Sequence, residues 1–132
     1  MASNSRQLSP AARLEHLMGL GEGKCTWCGF DLAKPNARPT RDMLVPKLKG
    51  GPARLENEVA ACSSCNQLRG GRHSPSQFIE ASRNERGLQP NAALIADQLD
   101  SLDEAIQREG GMRKIRDYVT REAKRARDLA GG

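Results

Sequence analysis

Four cysteines carry the clearest chemistry in the chain. Cys25-Thr26-Trp27-Cys28 and Cys62-Ser63-Ser64-Cys65 are two Cys-x-x-Cys pairs with 33 residues between them. A two-residue gap lets both thiolates of a pair reach one ion from a tight knuckle, and two knuckles complete a tetrahedron. The spacing therefore points to a structural Zn2+ held by Cys25, Cys28, Cys62 and Cys65. Disulfides and a thioredoxin-like redox pair are the alternatives. The first are disfavoured in a chain kept reduced. The second needs only one pair and a parallel sheet around it, and no such pattern surrounds Trp27. With every corner filled by protein, the ion is a staple and not a catalyst.

Any further chemistry lies in the loop that the cysteines close. It contains Asp42, Pro46, Gly50, Gly51 and Asn57, and Asn66 follows directly on Cys65. Singly, these residues are ordinary: Asp42 beside Arg41 reads as a turn or ion-pair residue, Asn57 as a turn former, Asn66 as a helix cap. Their joint order and spacing resembles the HNH endonuclease family in its zinc-stapled form, whose pattern runs Asp-His, Pro, Gly-Gly, Asn, Cys-x-x-Cys-Asn. The resemblance extends from Cys25 to about Ile79.

That resemblance implies a two-stranded hairpin followed by a helix, with a catalytic divalent ion, Mg2+ or Mn2+, between strand and helix. It makes Asp42 a ligand from the first strand, Asn66 a second ligand at the start of the helix, and Asn57 the residue that steadies the general base. The activity implied is metal-assisted phosphodiester hydrolysis on DNA, because oxygen ligands suit such ions and an open position can polarise a phosphate. One position departs from the pattern. Met43 stands where the family has its proton-accepting histidine, and a thioether has no useful basicity. Loss of a general base removes about 100- to 10,000-fold in rate, so the nuclease is impaired or inactive, and a catalytically dead nucleic-acid-binding module is the alternative. His73 lies seven residues beyond Asn66, past the helix stop at Gly70-Gly71, and His16 sits on a separate helix; both are poorly placed to substitute. A zinc-ribbon protein-interaction module is a third reading, but it has no need of Asp42, Asn57 and Asn66.

The charge distribution agrees with a polyanionic partner. The chain has 21 Lys and Arg against 16 Asp and Glu, for a net charge of +5, and the excess falls wholly within residues 24–73. There Arg38, Arg41, Lys47, Lys49, Arg54, Arg69 and Arg72 are expected to hold a DNA backbone, with little base information in such contacts. RNA stays open as the alternative polyanion. The basic residues of the last helix are either a solvated face or a supplementary phosphate surface.

Elements must position these groups in a chain of 132 residues with 3% aromatic content, enough for one thinly cored domain. Ser9-Pro10 and Ser74-Pro75 are helix starts, the first helix running to about Gly19 and the second towards Gly87. Met43-Val45 and Glu58-Ala61 read as a small hairpin. Ile95, Leu99, Leu102 and Ile106 form a helical seam ending at Gly110-Gly111, and a last helix from Met112 to Leu129 closes a helical hairpin. The fold expected is small and α+β: a ββα-metal core at 24–86, an N-terminal helix and Gly-rich linker at 1–23, and a helical extension at 87–132. The seam either packs within the chain or supports a homodimer. No run approaches the roughly 20 apolar residues of a membrane span, and the start lacks a signal peptide's apolar stretch, so a cytoplasmic protein with no membrane partner is expected.

Overall fold

The computed structural model describes residues 8–110 and 113–131. The expected helix start at Met112 and the second glycine of the 110–111 break lie outside the described residues. Five helices and one two-stranded antiparallel sheet follow in the order α1 (Pro10–Leu20), β1 (Thr40–Met43), β2 (Glu58–Ala61), α2 (Ser63–Arg69), α3 (Pro75–Asn84), α4 (Ala92–Glu109) and α5 (Arg113–Gly131). The protein is thus a small mixed α+β fold. No described helix is long and apolar enough to cross a membrane.

The helix starts follow their caps. Ser9 Oγ accepts from Ala12 N at 3.1 Å, and Ser74 and Gln77 form a reciprocal capping box in front of α3. Asn91 Oδ1 accepts from Leu94 N at 3.0 Å and opens α4. The helix α2 begins at Ser63 with Cys62 at its N-cap, so Asn66 is inside the helix and neither starts nor caps it. Gly70, at φ +51°, ends α2 in the left-handed conformation that glycine adopts without strain.

The first strand sits upstream of its expected position. β1 pairs Thr40 with Ala61 and Met43 with Glu58, and the ladder stops there. Leu44 and Val45 are fully buried but outside the strand: Leu44 N donates to Asn57 O at 2.8 Å, and at Val45 the Asn57 side chain takes over, Oδ1 accepting from Val45 N at 2.8 Å and Nδ2 donating to Val45 O at 3.0 Å.

A single apolar cluster runs from Leu17 on α1 through Trp27, Val59 and Phe78 to Ile95, Leu99, Leu102 and Val119 on the hairpin helices. Trp27 and Phe78 meet edge to face at 5.2 Å. The seam of α4 packs against α5 of the same chain, so it is covered within the monomer. Buried polar contacts tie the layers: Glu58 on β2 pairs with Arg13 of α1 at 2.8 Å and Arg41 of β1 at 3.1 Å, and Gln98 Nε2 of α4 donates to the Leu55 and Glu58 carbonyls. Glu122 of α5, also buried, accepts from Ser76 N and Ser76 Oγ at 2.8 and 2.9 Å, giving one buried amide of the first turn of α3 a charged partner.

Candidate metal centre and nucleic-acid interface

The four cysteines converge as their spacing predicts. The first knuckle is a tight turn in which Cys25 N donates to Phe30 O and Gly29 N to Cys25 O, with Gly29 at φ +80°. Thr26 N then donates to Ala60 O, docking the knuckle on β2, while the second pair rides on the first turn of α2. All four Sγ atoms lie within 4.8 Å of one another, and Cys28 and Cys62 approach to 3.9 Å. Sulfurs bound at about 2.3 Å to one tetrahedral ion stand about 3.8 Å apart, so the cluster fits a metal ion such as zinc.

The thiols divide their charge unevenly. A hydrogen bond from Cys65 holds Cys25 down at about 5, burial pushes Cys28 up to about 11, and its role as donor to Cys25 pushes Cys65 up strongly. A divalent ion held by the four cysteines would take the place of those protons. Arg86 adds to it from outside, with Nη1 at 3.7 Å from Cys65 Sγ.

The second group of residues is arranged differently. Asp42 on β1 is buried, and its Oδ2 accepts from Trp27 Nε1 at 2.8 Å and from Arg69 Nη1 at 3.2 Å. Burial raises its pKa, and the neighbouring Arg69 charge and the Trp27 and Arg69 hydrogen bonds oppose that rise. Arg69 was expected on a phosphate-contacting surface; it is instead fully buried. Its guanidinium donates to the Met43 carbonyl and, at 2.6 Å, to the Leu44 carbonyl, and it lies 4.8 Å from the Trp27 ring. A charge in a basic segment reads as solvated, so nothing in the sequence signalled this burial.

These residues do not fit a divalent ion at Asp42 as arranged. A guanidinium already neutralises the carboxylate, and a second positive charge beside it is repelled. Asn66 is less committed. Its Nδ2 donates to Thr40 Oγ1 at 3.2 Å and to Arg41 O at 3.4 Å, holding α2 against β1, and its Oδ1 makes no hydrogen bond. Asn57 is fully buried, and its side chain bonds Val45 and Pro52, shaping the loop and hydrogen-bonding to neither Asp42 nor Met43. Met43 is half-buried at the strand end. His73 stacks on Phe78 at 5.6 Å, and His16 is exposed on α1; neither hydrogen-bonds to Asp42 or Asn66.

The remaining basic residues separate into two sets. Arg41 is paired with Glu58, and Arg54 with Glu56 and Glu109 at 3.0 and 2.9 Å. Arg38, Lys47, Lys49 and Arg72 are exposed and make no ion pair among the described residues. Pro46 packs beside Gly71, which brings the turn carrying Lys47 next to Arg72. Lys49 Nζ lies 5.5 Å above the Tyr118 ring, joining that turn to α5, on which Lys114, Arg121 and Lys124 are likewise exposed without ion pairs among the described residues. No family model, curated protein or solved structure matches the chain.

Proposed function

We propose that the chain is a metal-stapled nucleic-acid-binding protein of HNH type that has kept the DNA-backbone surface and lost hydrolysis. The observation that carries this reading is the Asp42–Arg69 pair beside Met43. Where the sequence resemblance calls for a divalent ion and a base, there is an internal cation and a thioether. The exposed cations Arg38, Lys47, Lys49 and Arg72 supply the binding surface, and zinc at the four cysteines holds the loop that presents them.

Four phosphate contacts give a slope of log affinity against log salt of about −3 to −4 for duplex DNA. Anisotropy titrations with a labelled duplex across a salt series measure it. Purified protein should bind with that dependence and should not nick plasmid in Mg2+ or Mn2+. Absence of binding overturns the reading. Nicking that disappears in Asp42→Ala replaces it with a second one, a residual metal-dependent nuclease, which the free Oδ1 of Asn66 favours.

A further inference from the structure

The basic surface contains one apolar side chain that the binding of phosphates does not explain. Leu48 is 100% exposed, whereas the other exposed large hydrophobics, Leu20, Phe30 and Leu68, keep more than half of their surface covered. A lone exposed leucine is ordinary on a loose surface. The turn that carries Leu48 is not loose. Lys49 N and Gly51 N both donate to Pro46 O, at 2.9 and 3.0 Å, and Gly50 N donates to Lys47 O at 2.9 Å. Asn57 clamps Val45 immediately before the turn, and Gly51 sits so close behind it that a Cβ there would lie 1.8 Å from Val45 O. Against α5, a Cβ on Gly50 would meet Ile115 Cγ2 at 3.3 Å. A braced base therefore holds an uncovered leucine out into solvent.

Its neighbours give the partner's chemistry. Lys47, Leu48 and Lys49 make one turn of 3-10 helix, in which successive side chains point about 120° apart. The leucine thus has an exposed lysine on either side of it in the turn, of which Lys49 lies over the Tyr118 ring. A minor groove about 6 Å wide, rimmed by phosphates on both strands, offers the matching arrangement of anion, apolar base step and anion. Apolar wedges that enter such a groove unstack a base step while flanking cations hold the backbone.

We infer that Leu48 is a wedge that enters the minor groove of duplex DNA and partly unstacks one base step, with Lys47 and Lys49 on the flanking phosphates. The inference rests on the nucleic-acid reading above and names the form of nucleic acid. Single-stranded DNA and RNA lack that groove geometry and are the weaker ligands.

The test compares wild type with Leu48→Ala and Lys47→Ala on short duplexes carrying 2-aminopurine at TA steps, with the matching single strands as controls. Wild type should prefer the duplex and raise 2-aminopurine fluorescence on binding. Leu48→Ala should bind the duplex about tenfold more weakly, with no fluorescence rise and an unchanged salt slope. Because Leu48 is uncovered, its melting temperature should also be unchanged. Lys47→Ala should keep the rise and lose about one unit of salt slope. Wild-type behaviour from Leu48→Ala, or equal wild-type binding to single strands without unstacking, overturns the wedge and leaves the nucleic-acid reading intact. Failure of wild type to bind any of these ligands overturns both.

Discussion

The cysteine cluster and the Asp42 site both gather buried or half-buried polar groups around a small volume, and they balance charge in opposite ways. At the cluster four thiols converge with Arg86 at the margin, an arrangement that could take a cation from outside the chain. At Asp42 the chain supplies its own, and Arg69 and Trp27 Nε1 both donate to Oδ2. A set of donors implies a bound ion only when no internal counter-charge has been folded in beside it. Residue type and spacing alone do not distinguish the two cases.

Removing one group from each region tests that contrast. The largest effect is expected from Cys62→Ser, or from a strong chelator. A structural zinc contributes about 10 kcal/mol or more of apparent binding energy, as much as a small domain's whole stability. Circular dichroism should show loss of the cooperative fold; an unchanged melting curve would remove the metal from the account. Next comes Arg69→Met, which leaves Asp42 buried without its cation and two carbonyls without a donor. It should cost about 3–5 kcal/mol in urea unfolding, and adding Asp42→Asn should recover part of that loss. A cost under about 1 kcal/mol would break the contrast, since Arg69 would then not be what balances Asp42.

Smaller effects sharpen the picture of the loop between the two regions. Asn57→Ala removes three hydrogen bonds around Val45 and Pro52, two of them buried, and should cost about 3 kcal/mol. It should also weaken DNA binding by loosening the turn, whereas a purely local role would leave binding unchanged. Ser76→Ala removes one charge-assisted bond to Glu122 while the backbone bond stays. Its expected cost is about 1–2 kcal/mol, read as a shift in denaturant midpoint, with metal content unaltered.

The two regions were also unequally legible in the sequence. The cysteine cluster was readable because a two-residue gap dictates a knuckle whatever surrounds it, and the Ser-Pro starts and the seam from Ile95 to Ile106 are equally local signals. The end of β1 was misplaced because Val45 is held by the Asn57 side chain, a contact twelve residues away that no alternation pattern records. The burial of Arg69 and Glu122 was invisible for a related reason. Each has hydrogen-bond partners on another element, and charge in a sequence looks the same whether it faces water or Asp42.

The placement of α5 bears on how the chain acquires its fold. This helix supplies the cap for α3 through Glu122, the floor under Lys49 through Tyr118, and the cover for the α4 seam. It also follows in sequence everything that it covers. During synthesis the cysteine loop, the sheet and α4 emerge with their apolar faces open before α5 can pack on them. Local helix pairing then forms quickly, whereas closing the long segment between the two cysteine pairs is the slower event. An ion taken up early by the four cysteines would hold the nascent knuckles together through that interval and shorten the exposure of aggregation-prone intermediates.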